Sequence, residues 1–160
     1  RFLGIMKTFF LDFPAVMLEQ VPRYQLNDRI MNVIQEVQPD EVFLPHVGDM
    51  QKDHQIVNEA VMVAVRPKYS HKISAVYAYE TLSETEWNIP NTTNAFIPTV
   101  YRDISQFIET KKQALSYFTT QIAAFPDPRS TEAVEVLAKY RGSTIEVNAA
   151  EAFVLIRAIC

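Results

Sequence analysis

Cysteine is nearly absent from this chain, which has a single one at its last position, Cys160. No disulfide framework can therefore form within these 160 residues, and a closed zinc site of the cysteine-rich structural kind is disfavoured. A chain without disulfides fits a reducing compartment, and we expect the protein in the cytoplasm.

Glycine is almost as scarce, with three residues in 160. Phosphate-binding loops and dinucleotide fingerprints need glycines at fixed spacing, and neither pattern occurs here, nor does a nucleophile elbow. Lysine and arginine number 15 against 19 acidic residues, with no basic run, so nucleic acid is not expected as a partner.

Long apolar runs are also missing. No stretch approaches the roughly 20 residues that span a bilayer. The first ten residues, "RFLGIMKTFF", lack the small-residue cleavage site that follows a signal peptide. We expect no membrane span.

Alternating short apolar runs and helical patterns fill the first half of the chain. "FFLDF" (9–13), "EVFLPH" (41–46) and "ISAVYAYE" (73–80) have the length and composition of buried strands. Apolar residues at helical spacing lie between them, over 26–37 and 56–65. Strand, helix and strand in repeated succession predict a parallel, right-handed α/β sheet.

The second half predicts fewer strands. Residues 94–104 read as a strand or extended segment, followed by a long amphipathic helix over 104–122 with Asp103 as its cap. A turn at 125–130 leads to a helix that Ser130 or Thr131 begins and Gly142 closes. No linker interrupts the pattern, so residues 1–160 are predicted to form a single domain.

A polar cluster stands out in "PHVGDMQKDHQIV" (45–57), which holds His46, Asp49, Asp53 and His54. It begins where the second predicted strand ends, and ligands of open α/β sheets bind at the carboxyl ends of strands. Imidazole is a common zinc ligand, and a neighbouring carboxylate can orient its ring, so Asp53 and His54 form a candidate ligand pair. Alternatively, Asp53 caps the following helix, and both histidines are hydrogen-bonded loop residues.

Five segments together resemble the PIG-L/LmbE family of zinc-dependent N-acetylglucosaminyl deacetylases. They keep the family's order along nearly the whole chain: "PDEVFLPHVGDMQKDHQIVNEAVMVAVRP" (39–67), "YETLSETEW" (79–87), "DISQFIETKKQALSYF" (103–118), "FPDPRS" (125–130) and "AEAF" (150–153). The resemblance implies a Rossmann-like three-layer α/β fold with a mostly parallel sheet. It also implies one divalent metal, Zn²⁺ or another ion, with His54 matching the later histidine ligand.

Two departures from the family pattern follow from the same comparison. The His-Pro-Asp-Asp-Glu motif, which supplies two metal ligands and the general base in the family, does not occur in residues 1–160. The resemblance thus predicts an N-terminally incomplete domain that lacks a strand-helix-strand unit. Many members carry a histidine three residues before the metal ligand, and here that position is Gln51, which can donate a hydrogen bond but cannot shuttle a proton.

The predicted site residues divide by role. His54 is the metal ligand, and the catalytic candidates are Asp53, Gln51 and His46. The substrate-binding candidates are Asp49, Glu80, Trp87 and Arg129. Trp87 could instead be a packing residue under a loop, and Arg129 a surface arginine.

Two functions remain open. The first is a metal-dependent hydrolase that removes an acetyl group from an N-acetylglucosamine-type amino sugar or glycoconjugate. The second is a noncatalytic sugar-binding or assembly module on the same scaffold. In either case the expected partner is a small amino sugar, and a homo-oligomer is left open.

Overall fold

A computed structural model describes residues 2–69 and 73–160 of the chain. Its elements, in chain order, are a 3₁₀ turn Leu18–Gln20, α1 Arg23–Val37, β1 Glu41–Pro45, α2 Lys52–Ala64, β2 Ala75–Tyr79, β3 Val100–Asp103, α3 Ile108–Ser116, α4 Thr131–Ser143 and β4 Ala150–Ala158.

The chain divides into two compact units. One comprises the residues through Thr8 together with Pro98–Ala152, and the other comprises Phe9–Ile97 together with Phe153–Cys160. We call them the α3/α4 unit and the β1/β2 unit. The prediction of a single domain over the whole chain stays a prediction.

The sheet of the β1/β2 unit is mixed. β1 and β2 pair in parallel, from Glu41 opposite Ala75 to Pro45 opposite Tyr79. β4 pairs with β2 in the antiparallel sense, and the strand order among the described residues is β1-β2-β4-β3, of which β3 belongs to the α3/α4 unit. An α/β fold is confirmed, but the expected mostly parallel sheet is only partly parallel, because β4 runs in the opposite direction to β2. The Rossmann-like, three-layer part of the expectation stays a prediction.

Two apolar clusters hold the β1/β2 unit together. One lies under β1 and β2, where the buried side chains come from both strands, from the C-cap of α2 and from the residues just before β2. The other lies where α1 and α2 meet. Their buried members are Val42, Leu44, Val65, Ile73 and Val76 in the first, and Leu18, Leu26, Ile56 and Ala60 in the second.

The first predicted strand, residues 9–13, is wrong. These residues have no regular structure. Asp12 has a left-handed φ of 55°, and Pro14 directly follows the segment. A proline removes a ladder donor, and a positive φ breaks the extended backbone. Phe13 packs against the cluster between α1 and α2, while Phe10 is exposed. An apolar run here indicates a docked segment rather than a strand.

The long helix predicted for residues 104–122 is much shorter, because α3 covers only Ile108–Ser116. Asp103 does not cap it. Its carboxylate accepts instead from the backbone N–H of Ser105 (2.8 Å) and from that residue's hydroxyl (2.6 Å), which holds the pKa of Asp103 below its ordinary value. This local Asx turn competes with capping, and the helix starts later, at Ile108, with Phe107 as an N-cap whose side chain makes no hydrogen bond.

The start of α4 follows the sequence, but its end does not. Ser130 is the N-cap, and its hydroxyl accepts from the backbone N–H of Ala133 at 3.0 Å. Gly142 lies inside the last turn rather than closing the helix. A Cβ at this position would lie 2.5 Å from the carbonyl oxygen of Val147, so glycine is needed here for close packing. Among the described residues, no helix is both long and apolar enough to cross a bilayer.

Candidate functional site

The candidate site lies where β1 and β2 end side by side. Pro45 and Tyr79 are paired at the carboxyl ends of these parallel strands, so the loops that follow them leave the sheet at one edge. Backbone hydrogen bonds join the two loops: His46 donates to the carbonyl of Tyr79 at 3.1 Å, and Met50 donates to the carbonyl of Glu84 at 3.0 Å. The polar cluster of the sequence occupies the first loop and the start of α2.

Asp49 and His54 form the central pair of this site. The Asp49 side chain is fully buried, and its Oδ2 accepts from Nδ1 of His54 at 2.8 Å. A carboxylate only accepts, so Nδ1 carries the proton and the lone pair of the neutral ring lies on Nε2. The His54 side chain keeps 29% of its surface exposed. The pair therefore offers an imidazole nitrogen in a fixed tautomer.

The surroundings of His54 favour its charged form. The hydrogen bond to Asp49 raises its pKa most, and the charges of Asp49, Glu84 and Asp53 raise it further against the opposing effect of burial. Burial and the Asp49 charge also raise the pKa of the Tyr79 hydroxyl. The carboxylates around this edge thus favour a positive charge on the His54 ring.

Gln51 begins α2. Its Oε1 accepts from the backbone N–H of His54 at 2.9 Å, so the glutamine takes the place of a serine or aspartate N-cap. A side-chain oxygen engaged in this way leaves the amide NH₂ group as the part that can donate to a ligand. The structure therefore keeps Gln51 next to His54.

Asp53 is not the partner of His54, and the predicted Asp53–His54 pair is wrong. Its carboxylate turns to the segment before α1, where it accepts from the backbone N–H groups of Val16 (2.6 Å) and Leu18 (3.1 Å). Adjacent residues of a helix do not face the same side. The alternative, Asp53 as the helix cap, is wrong as well, because Gln51 has that place.

His46 is buried, and its ring is hydrogen-bonded to a distant segment of the chain. Its Nε2 lies 3.1 Å from the carbonyl oxygen of Asn94, and its ring meets Phe96 edge-on. Gly48 permits this arrangement, since a Cβ there would lie 2.3 Å from the same carbonyl oxygen. Since a carbonyl only accepts, Nε2 must donate. This agrees with the alternative of a hydrogen-bonded loop residue, and a catalytic part for His46 stays a prediction.

The remaining predicted site residues are Glu80, Trp87 and Arg129, and they lie outside the hydrogen-bonded group of Asp49, Gln51 and His54. Glu80 directly follows β2 and is half-buried, while the indole of Trp87 is 56% exposed, which does not agree with a packing residue under a loop. Arg129 belongs to the α3/α4 unit, where its guanidinium donates to the side chain of Gln121 at 2.9 Å. The substrate-binding roles of these three residues stay predictions, whereas direct substrate contact by Asp49 does not agree with its full burial and its two occupied oxygens.

The donor set fits part of a divalent metal site. His54 presents Nε2 with Asp49 behind it, which is the arrangement that orients a histidine ligand. A catalytic zinc, however, usually takes three protein ligands. Within residues 2–69 and 73–160, no group of three or more His, Cys, Asp or Glu side chains could hold a metal ion. The described residues bring together one imidazole and one carboxylate at this place.

Two features of the site differ from the prediction. Asp49 rather than Asp53 supports His54, and the hydroxyl of Thr85, which no motif of the sequence indicates, lies 2.6 Å from the other oxygen of Asp49. Helix geometry was a usable clue for the first, because a residue just before an N-cap can reach the first turn while the immediate neighbour diverges. No pattern along the chain indicates Thr85, which is 36 residues from Asp49.

Comparison with a family model points to the N-terminal part of the chain. Residues 1–65 match PIG-L, described as GlcNAc-PI de-N-acetylase. This match contains β1, Asp49, Gln51 and His54. It therefore covers the loop after β1 but not the loop after β2.

Solved structures share the fold over most of the chain at low identity. The conserved protein TT1542 of Thermus thermophilus has a TM-score of 0.78 and 23% identity over 99% of this chain and 70% of its own. N,N'-diacetylchitobiose deacetylase of Pyrococcus horikoshii has a TM-score of 0.71 and 19% identity, and the match covers 97% of this chain and 59% of its own. GalB, the 4-carboxy-2-hydroxymuconate hydratase of Pseudomonas putida, has a TM-score of 0.62 and 18% identity, and the match covers 86% of this chain and 60% of its own.

The chain thus spans about six tenths of the length of two of these proteins, and their likeness shows the fold. In sequence, residues 1–65 are the part of the chain that matches the PIG-L family model. The resemblance to the PIG-L family predicted from the sequence is therefore confirmed, with residues 1–65 as the part of the chain that matches it.

Proposed function

We propose that this protein is an N-deacetylase that hydrolyses the acetamide of an N-acetylglucosamine-type amino sugar or glycoconjugate, with His54 as a ligand of a divalent metal, Zn²⁺ in the first instance. The observation that carries the proposal is the Asp49–His54 pair at the carboxyl edge of β1, inside the segment that matches the PIG-L family. The deacetylase of Pyrococcus horikoshii shares the fold, and its substrate class agrees with the proposal.

His54 and Asp49 have separate tasks in this proposal. Asp49 accepts from Nδ1, so that the neutral ring directs its Nε2 lone pair away from the carboxylate. The chemistry expected of a divalent metal here is polarisation of the acetamide carbonyl and acidification of water. We expect Gln51 to donate a side-chain amide N–H to the developing oxyanion, and Glu80 and Trp87 to contact the sugar.

Hydrolysis of the acetamide breaks its carbon–nitrogen bond; water supplies the second oxygen of acetate, and the sugar nitrogen leaves as an amine. The general base and two further metal ligands are expected in a His-Pro-Asp-Asp-Glu motif, which the family resemblance implies and residues 1–160 do not contain. A role of Asp53 in the chemistry would require its carboxylate to leave the backbone of Val16 and Leu18.

The test uses the full-length protein with Zn²⁺ and measures acetate released from N-acetylglucosamine and from N-acetylglucosaminyl glycoconjugates. We expect release in the wild type, and loss of activity and of most bound metal in His54→Ala. Lys52→Ala, an exposed change in the same helical turn, should leave both intact.

Two results would count against the proposal. A protein that binds the amino sugar without releasing acetate would favour the noncatalytic sugar-binding or assembly module. Undiminished metal content in His54→Ala would remove His54 from the ligand set. The fold by itself does not choose between these outcomes, since a protein named as a hydratase shares it.

A further inference from the structure

The turn that follows β2 is held in one conformation by hydrogen bonds in both directions. The backbone N–H groups of Glu84 and Thr85 donate to the carbonyl of Thr81, at 3.1 and 2.9 Å. In return, the backbone N–H of Thr81 donates to Oγ1 of Thr85 at 2.8 Å. The hydroxyl of Thr85 therefore has a fixed position and one lone pair already in use.

The direction of the next hydrogen bond follows from chemistry. Oγ1 of Thr85 lies 2.6 Å from Oδ1 of Asp49. An ionised carboxylate has no proton to give, so the threonine hydroxyl must donate. Because the Asp49 side chain is fully buried, bulk water cannot substitute for this donor.

Both oxygens of Asp49 are consequently committed. Oδ1 accepts from Thr85 and Oδ2 accepts from Nδ1 of His54, at 2.6 and 2.8 Å. Rotation of the carboxylate would break both bonds at once. The position of the threonine hydroxyl thus fixes the plane of the carboxylate, and the carboxylate fixes the imidazole ring and its tautomer.

The backbone of the turn is strained in a way that serves this contact. Ser83 is buried and has a left-handed φ of 73°, an uncommon conformation for a residue with a side chain. Its backbone N–H donates to Oε1 of Glu86 at 2.6 Å, which holds the turn closed. Strain of this kind persists where surrounding contacts require it, and here it brings Thr85 onto Asp49.

We propose that Thr85 is a positioning residue, which acts through Asp49 to keep His54 protonated at Nδ1 with Nε2 directed to a ligand. The hydrogen-bonded series runs from the Thr81 backbone N–H through the Thr85 hydroxyl and the Asp49 carboxylate to the His54 ring. The part of this inference that concerns metal affinity rests on the proposed function, while the part that concerns the ring does not.

The experiment compares Thr85→Val, which keeps the shape and removes the hydroxyl, with Thr85→Ser, which keeps the hydroxyl. In metal-free full-length protein labelled with ¹⁵N-histidine, ring spectra assigned with His54→Gln report the tautomer of His54. We expect Thr85→Val to lose the predominance of the Nδ1–H tautomer and to weaken Zn²⁺ binding roughly 10- to 100-fold. Thr85→Ser should retain the tautomer and the affinity of the wild type.

Thr81→Val is the matched control. It makes the same chemical change in the same turn, at a hydroxyl that is buried and makes no hydrogen bond among the described residues, and it leaves the backbone N–H in place. We expect it to keep the wild-type tautomer. If Thr85→Val does not fold, Thr85→Cys, with a weak donor of similar size, takes its place with the same expectation.

A wild-type tautomer in the Thr85 variant, or an equal change in the Thr81 control, would overturn the inference. Those results are distinct from a failure of the proposed function. A wild-type protein without acetate release would contradict the deacetylase proposal, and the metal-free ring spectra would still decide the role of Thr85.

Discussion

Two nearby aspartates, Asp49 and Asp53, have entirely different roles in this protein. Asp49 is fully buried and gives both oxygens to side chains, those of Thr85 and His54. Asp53 gives both oxygens to backbone N–H groups. At the residue scale, the position of each aspartate relative to the start of α2 determines its role. Asp49 lies in the loop before the N-cap Gln51, and Asp53 lies in the first turn of the helix.

Asp49 also links His54 to pH. The pKa of His54 is raised above its ordinary value of 6.5, mainly by the hydrogen bond with Asp49. A raised pKa means that the pair stabilises the fold fully below an unfolded-state pKa of about 6.5 and that this contribution is lost as pH rises through the folded-state pKa. In metal-free protein we expect Asp49→Asn to lower the pKa of His54 and to reduce this loss of stability at higher pH.

Titration of the His54 ring by NMR, together with urea midpoints between about pH 5 and 9, measures both effects. Asp28→Asn, an exposed change on α1, is the matched control and should leave the His54 titration unaltered. An unchanged pKa in Asp49→Asn would show that another group sets the charge of this ring.

At the scale of elements, a single side chain ties an irregular segment to a helix. The segment before α1 has left-handed residues at Asp12 and Val16, and Asp53 of α2 accepts from the backbone of Val16 and Leu18. A β-branched residue at positive φ is costly, so this segment depends on its external contacts. Leu18 adds a buried side chain to the cluster between α1 and α2.

We expect Asp53→Asn to destabilise the protein by roughly 1–3 kcal/mol, because an amide replaces one of the two acceptor oxygens with a donor that faces an N–H group. Urea unfolding measures the loss, and faster hydrogen exchange at the Val16 and Leu18 amides locates it. Asp28→Asn again serves as the exposed control. Unaltered exchange at these two amides would contradict the role of the Asp53 carboxylate in holding this segment.

The start of α4 is a second test at this scale, since the sequence left Ser130 and Thr131 both open as caps. The hydroxyl of Ser130 accepts from the N–H of Ala133, so Ser130→Ala should cost about 1 kcal/mol of unfolding free energy. Thr131→Ala, one residue inside the helix, should cost clearly less. Equal losses in the two variants, measured by thermal or urea unfolding, would contradict the assignment of the cap.

For the whole molecule, the number of metal ligands sets the expectation. The described residues bring together His54 and Asp49 but no group of three metal-binding side chains. We therefore predict that the 160-residue chain, expressed by itself, binds Zn²⁺ weakly, because one imidazole with a supporting carboxylate is short of the usual three ligands.

Calorimetric titration of this chain with Zn²⁺ provides the measurement, and His54→Ala separates binding at the proposed site from binding elsewhere. Stoichiometric, tight binding together with acetate release by these 160 residues would show that the assignment of the further ligands is wrong.

Local pattern predicted much of the framework. The strands at 41–46 and 73–80 and the helices around 26–37 and 56–65 are confirmed. Short apolar runs indicate buried strands, and apolar residues at helical spacing indicate a helix with one buried face. Residues 9–13 and 104–122 failed for a common reason. Apolar composition there reflects docking or exposed turns, as the 83% exposure of Phe10 shows, and composition alone does not distinguish these cases.

By itself, the sequence determined that the chain is α/β, that a polar cluster follows β1, and that the chain resembles the PIG-L family, whose model matches residues 1–65. Only the tertiary structure decided that β4 runs antiparallel to β2, that Asp49 rather than Asp53 supports His54, and that Thr85 completes the contact. The physical reason is the range of the interactions. Helical and strand periods act over a few neighbouring residues, whereas the hydroxyl of Thr85 meets a carboxylate 36 residues away, through a strand pairing that no local pattern specifies.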